Sequence, residues 1–257
     1  MRWDADGWLR TLDGGSLPTL ETPAPDLLAH PGHPFPETPA RNDFDSPHPD
    51  IDFQRLRTPH PEEIFSLTAR PGFLRVTGCD TFGSFFTQAL VTRRQEAHCS
   101  TAATVIEFEP DHFQQPAGLV CYYSSTKPHY FHLTRDETAG KHLRGMSCVP
   151  DSPKADSFTP PIPVPSGRPV HLRVKVDFER LCFGYRVDGV RDIRQWLLES
   201  FDASILSDEC NAPGHASFIC MACQDISGTR KVADFESFYY AERPFASQIN
   251  LNTMLLP

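Results

Sequence analysis

The chain has 257 residues, with 24 Lys and Arg against 33 Asp and Glu and a formal charge of −9. That length is ample for a sizeable core, in one large domain or two small ones. The negative balance repels phosphate backbones and anionic lipid, which excludes nucleic acid and membrane surfaces as partners.

Trp3-Asp4-Ala5-Asp6-Gly7-Trp8 predicts a short strand, a turn at Asp-Gly and a second short strand. There is no apolar leader at the start and no run of eighteen apolar residues anywhere. A soluble, cytoplasmic protein is therefore expected. Seven prolines from Pro18 to Pro39 then break the chain into a semi-extended strap. The strap is too apolar for a solvated linker, with Trp3, Trp8, Leu9, Leu12, Leu17, Leu20, Leu27 and Leu28. Residues 1 to about 25 are accordingly expected to pack loosely, and protease to leave a core beginning near Asn42.

From Asn42 onward the pattern is strands and turns. Asp43 to Pro47 reads as a short edge element, and Phe65–Thr68 with Phe73–Val76 as a hairpin turning at Arg70-Pro71-Gly72. Three core strands follow, over Phe85–Val91, Ala102–Pro110 and Leu119–Tyr123. The last is a nearly unbroken apolar run, expected to be a central strand buried on both faces with Leu119 and Val120 fully enclosed. His129–Leu133 and His142–Val149 continue the series, and the six prolines between residues 150 and 168 mark a long crossover loop. Val170–Val176 alternates strictly, Leu181–Val187 follows, and Asp188-Gly189 supplies turn chemistry. Ile193 to Ser207 carries the one helical turn expected. Ser217–Cys223 and Ala233–Tyr240 end the pattern. A dozen short strands without a repeat period predict an all-β fold, a two-sheet antiparallel sandwich of jelly-roll type rather than a complete propeller.

Several runs in this series are shared with a known family. "FTQALVTRRQ" and "FEPDHFQQPAGLVCYY", with "SLTARPGFLRV" and "ADFESFYY", resemble the C-terminal concanavalin A-like β-sandwich of glycoside hydrolase family 43 β-xylosidases. The resemblance covers about residues 42–241 and implies that fold. It further implies that residues 1–41 are the last strand of a catalytic propeller plus a connector, and it leaves residues 242–257 as an unmatched tail. In the family, the acid and base carboxylates and a third Asp sit on the propeller. None of those motifs occurs here, so the resemblance implies a non-catalytic accessory domain of a β-xylosidase or α-L-arabinofuranosidase type protein. Its implied partners are a propeller, in cis or in trans, or a xylo- or arabino-oligosaccharide; no cofactor is implied. A family Phe that walls the propeller pocket aligns with Gly214 when the run is anchored on Cys223-Gln224-Asp225. His215 is then the neighbour available to substitute, and Phe218 is the second Phe of the run, placed in the core.

Other constellations have bland readings beside their chemical ones. Ser124 to Lys127 fits S-x-x-K, but in a hairpin tip rather than at a helix start. Cys220 and Cys223 sit three apart on a strand, as do His129 and His132, so each pair points to opposite faces and shares no metal. Asp43, Asp45, Asp234 and Glu236 flank the two ends of the pattern and are weak calcium candidates, or edge charges that discourage aggregation. Glu107 and Glu109 share a strand face and do not bracket a substrate as glycosidase carboxylates must. A stand-alone carbohydrate-binding module is the alternative reading, since this fold commonly holds sugars, with a truncated gene product lacking independent activity as a third. Tyr122, Tyr123, Tyr130, Tyr239 and Tyr240 are the candidates for its sugar platform, although their apolar neighbours favour burial in the core or an interface. Self-association stays open.

Overall fold

A computed structural model describes residues 2–11, 17, 38–56, 58–149, 156–190, 195–196, 200–211 and 214–243. The chain divides into two units, residues 1–38 and 39–257. In the first, β1 (Arg2–Trp3) pairs antiparallel with β2 (Leu9–Arg10). The expected turn forms because Gly7 takes a φ of 80° and donates to the Asp4 carbonyl at 2.9 Å. Trp3 and Trp8 are exposed. The expectation for the proline strap falls on residues 12–37, which apart from Leu17 lie outside the described residues.

The second unit is built from β3 (Arg41–Asn42), β4 (Phe53–Arg55), β5 (Phe65–Ser66), β6 (Leu74–Thr77), β7 (Leu90–Arg94) and β8 (Cys99–Glu107). Then come β9 (Ala117–Tyr122), β10 (His129–Asp136), β11 (Gly140–Cys148), β12 (Asp156–Phe158), β13 (Ile162–Pro163) and β14 (Val170–Asp177). β15 (Arg180–Val187), β16 (Gln195–Trp196), β17 (Phe201–Asp202), β18 (Phe218–Cys223) and β19 (Val232–Glu242) complete it. One sheet runs β12-β11-β10-β9-β18-β7-β4, with β13 also on β11. The other runs β16-β15-β14-β8-β19-β6-β5, with β17 on β15 and β3 on β19. Distant strands pair (β9 with β18, β8 with β19), as a jelly roll requires. The all-β, two-sheet antiparallel sandwich is the expected fold.

All six residues of β9 are buried. Leu119 and Cys121 face the other sheet and join the main core with Phe131, Phe183, Met221 and Phe235. Val120 and Tyr122 point the opposite way, into a second cluster with Phe82, Leu90, Tyr130 and Cys220. A covering loop makes that possible. The Asp80 carboxylate accepts from Ser84 Oγ at 2.8 Å and Thr87 Oγ1 at 2.9 Å, and the Gln88 amide donates to the Ser84 carbonyl at 2.7 Å. The loop so pinned lays Phe82 edge-on against Tyr130, ring centroids 5.0 Å apart.

That loop also corrects the expected strand at Phe85–Val91. β7 starts only at Leu90, and Phe85 and Phe86 are exposed on the loop, because its side-chain hydrogen bonds compete with ladder pairing. The helical turn expected within Ile193–Ser207 needs correction as well. The segment contains β16, β17 and a single 3-10 turn at Ala203–Leu206, whose start is capped by the Asp202 side chain accepting from the Ser204 amide. Pairing of β16 and β17 with β15 outweighs weak helix propensity. Cys220 and Cys223 do lie on opposite faces, one in each cluster.

His132 is buried against the Tyr130 ring, 4.5 Å between centroids, and burial pushes its pKa down to about 3. A depressed histidine contributes stability that is complete above its unfolded value of 6.5 and is lost as pH falls toward 3. Denaturation midpoints should therefore decline below pH 6.5, with His132 contributing about 1.4 kcal/mol per pH unit across that window. Chemical denaturation of His132→Gln beside the parent should show a shallower decline. Equal slopes would remove His132 as the source.

Candidate functional site

β9 runs out at one end of the sandwich into Tyr123, whose hydroxyl donates to the Asp208 carboxylate. That hydrogen bond, with burial second, raises the phenol pKa. The His215 ring lies 5.7 Å from the Tyr123 ring. Gly214 precedes it with a φ of 95° and open space where a Cβ would stand. The loop bearing both is fastened from below. The Asn211 amide donates to the Ile205 and Ser207 carbonyls at 2.6 and 3.0 Å, and Ser124 Oγ donates to Asn211 Oδ1 at 3.0 Å. Lys127 Nζ donates to the Cys210 carbonyl. Ser124 and Lys127 thus anchor a loop and do not form a nucleophile–base pair.

Of the candidate carboxylates, Asp43, Glu107, Glu109 and Asp234 are engaged by cations. Asp234 accepts from Arg75 Nε at 2.7 Å, Arg75 Nη2 at 2.8 Å and Arg70 Nη1 at 2.9 Å. Burial alone would push this carboxyl up; the two guanidiniums outweigh it and hold the pKa below the usual range. Arg70 also reaches Glu107 at 2.9 Å. Asp43 takes Arg41 Nε at 2.5 Å, while Asp45 and Glu236 are exposed. The pairing of β3 with β19 does make the ends of the domain neighbours. Among the described residues no group of three or more His, Cys, Asp or Glu side chains is placed to hold a metal ion. Glu109 lies past the end of β8, on Lys141 Nζ at 2.6 Å and the Gly167 amide at 2.7 Å. It therefore parts from Glu107.

The outer face of the second sheet forms a groove of about 380 Å³. Two cross-strand rows build it. One is Ser237, Val105, His171 and Arg186; the other is Arg41, Tyr239, Ala103 and Arg173. Partnered residues of antiparallel strands point the same way, so the small Ala103 and Ser237 form a floor between larger walls. Arg173 is 8% exposed at the base, and Tyr239 is half-buried. Arg186 Nη2 lies 2.7 Å from His171 Nε2, which also lies 3.0 Å from Asp188 Oδ1. Burial and then the charge of Arg186 lower the His171 pKa. No carboxylate among the described residues lines the groove.

Residues 41–241 match the family described as the beta xylosidase C-terminal concanavalin A-like domain. The chain belongs to that family. It is 34% identical over 246 residues to a beta-xylosidase of Bacillus subtilis (strain 168), covering 90% of this chain and 43% of that protein. A xylan 1,3-beta-xylosidase of Vibrio sp. is 31% identical over 234 residues, 89% of this chain and 42% of that one. Among solved structures, a xylan beta-1,4-xylosidase from Bacillus halodurans C-125 superposes with a TM-score of 0.84 at 35% identity, covering 94% of this chain and 46% of that chain. The chain spans less than half the length of each of these relatives.

Within this C-terminal family domain the five candidate tyrosines do not assemble a platform, and four of them are buried as their apolar neighbours suggest. Tyr122 and Tyr130 lie under Phe82, and Tyr123 and Tyr240 lie in the main core, so Tyr239 alone of the five reaches the groove. The groove escaped sequence reasoning, although a signal was present. His171, Arg173 and Lys175 recur at every second position of β14, a basic stripe on one strand face. No described helix is long and apolar enough to cross a membrane.

Proposed function

We propose that this chain is a non-catalytic accessory β-sandwich of a family 43 glycoside hydrolase, of β-xylosidase or α-L-arabinofuranosidase type. It packs on a catalytic propeller, supplied in cis or in trans, and completes its active site. The carrying observation is the match over residues 41–241 to a domain named as the C-terminal part of β-xylosidases. Coverage of only 42–46% of three relatives agrees with a division of labour between two domains. Glu107, Glu109 and Asp234 are engaged in ion pairs with Arg70, Arg75 and Lys141, whereas glycoside hydrolysis needs two carboxylates that flank a sugar.

The wall of the propeller pocket is assigned to the Gly214–His215 loop. Gly214 brings no side chain, and its positive φ strains any L-residue placed there, so the wall role passes to His215. The purified chain should leave nitrophenyl xyloside and nitrophenyl arabinoside at the rate of a boiled control. A fusion to a family 43 propeller should hydrolyse them, and His215→Ala in that fusion should raise KM. Hydrolysis by the chain alone, abolished by changing one of its own carboxylates, overturns the reading. The groove on the second sheet favours a second reading, a carbohydrate-binding role, because it is concave and holds an aromatic ring beside several donors.

A further inference from the structure

Three loops close the end of the sandwich where β9 begins, opposite the end where β9 runs out into Tyr123 beside the Gly214–His215 loop. They span residues 78–89, 108–116 and 224–231. Backbone hydrogen bonds tie them into one cap. The Asp225 amide donates to the Cys79 carbonyl at 2.7 Å, the Gln224 amide to the Pro116 carbonyl at 2.8 Å and the Ile226 amide to the Gln114 carbonyl at 3.2 Å. Side chains tighten the cap further. Asp225 is buried and accepts from Thr229 Oγ1 at 2.7 Å and the Lys231 amide at 2.8 Å. Gln115 has no exposed surface, and its amide donates to Thr229 Oγ1 at 2.9 Å. Out of this braced cap stand four large apolar side chains: Phe85 (96% exposed), Phe86 (79%), Phe113 (69%) and Ile226 (50%). A loose loop would fold such rings inward. Here the hydrogen bonds among Asp80, Ser84, Thr87 and Gln88 fix the loop that carries Phe85 and Phe86.

We propose that this cap is an interface with a second copy of the chain, the two copies related by a twofold axis. Area favours that occupant. A phenylalanine side chain offers about 150–250 Å², so at these exposures the three rings present roughly 400–600 Å² of the ~800 Å² that each partner of a stable interface contributes. Apolar patches of that extent on a soluble protein mark contacts. Charge favours it too. All four carboxylates of the three loops are engaged: Asp80 by two hydroxyls, Glu109 by Lys141, Asp111 by Lys231 and Asp225 by donors of its own loop. Two copies, each with a charge of −9, can therefore meet on these loops without opposing unpaired carboxylates. The polar side chains point to the same occupant. Ser84, Thr87, Gln88, Gln115, Ser227 and Thr229 direct hydrogen bonds into the cap, whereas a sugar is read by polar groups that converge outward on it. A twofold contact sets each apolar patch against its own copy, and aromatic rings so opposed gain beyond the area they bury.

The propeller's place at the opposite end rests on the reading above, but self-association through the cap does not. It is measured on this chain alone, and the fusion assay decides the other claim separately. Sedimentation velocity of the full chain from about 1 to 200 µM should show a monomer–dimer equilibrium, predominantly dimeric at the upper concentration. Phe85→Ser combined with Phe86→Ser should raise the dissociation constant at least about a hundredfold, because a twofold contact loses four rings at once. Both side chains are exposed, so the circular-dichroism spectrum should stay that of the parent. His215→Ser, at the other end, should leave the dimer intact. Amide exchange of the parent locates the contact, since protection over residues 78–89, 108–116 and 224–231 should rise with protein concentration. A chain that stays monomeric throughout the range, a dimer that survives the double variant, a dimer lost in His215→Ser, or cap protection raised by xylotetraose and not by concentration would each overturn the proposal.

Discussion

Replacing Leu119 by alanine is expected to destabilise the protein by about 2–5 kcal/mol, the range for emptying a large aliphatic site in a closed core. Leu119 has no exposed surface. It is paired on one side with Phe131 of β10 and on the other with Met221 of β18. Both partners are themselves fully buried, and ring stacking at 5.3 Å ties Phe131 to Phe183 of the opposite sheet. Neighbours held on both flanks cannot close over a cavity, which places the effect toward the upper part of the range. Urea unfolding of the parent and variant measures it. A difference below half a kcal/mol would mean that the centre of the sandwich lies elsewhere.

The centre was legible in the sequence because a strand with apolar residues at both odd and even positions must be covered twice. Leu119-Val120-Cys121-Tyr122 reads that way without any structure. The identity of the second cover was not legible. Phe82 sits in a stretch of Gly, Ser and Thr that looks like a plain turn, and the hydrogen bonds from Ser84, Thr87 and Gln88 that shape it leave no periodic trace. The same limit explains Phe85 and Phe86, whose β propensity suggests strand while their neighbours' side chains close a loop. At the candidate sites, Gly214 and His215 could be located by alignment to a family run, but not their support. Tyr123, Asp208 and Asn211 come from segments more than eighty residues apart in sequence and meet only in the fold. The groove needed the register of four strands before Arg41, Tyr239, Arg173 and His171 became one surface.

Gly118→Ala is expected to be of the same order of damage as Leu119→Ala, although it adds one methyl group and removes nothing. Gly118 stands opposite His132 in the β9–β10 ladder. A Cβ there would come within 2.1 Å of the Phe131 carbonyl oxygen and 2.8 Å of the His132 Cα. Both are backbone atoms of a buried central strand, so no side-chain rotation relieves the contact. Glycine inside a strand marks such an approach of one backbone to another. Ordinary overpacking costs about 1–3 kcal/mol. Here the ladder itself must open, so a loss above about 3 kcal/mol is expected. The consequence reaches the proposed docking end as well. β9 carries Tyr123 directly beyond its last residue, and Tyr123 holds Asp208 and meets His215. A displaced β9 should therefore loosen the Gly214–His215 loop, and protease should cut there sooner than in the parent. The checks are the denaturation midpoint and the position of the first cleavage. A variant with a parental midpoint would show that β9 and β10 are farther apart than this ladder places them.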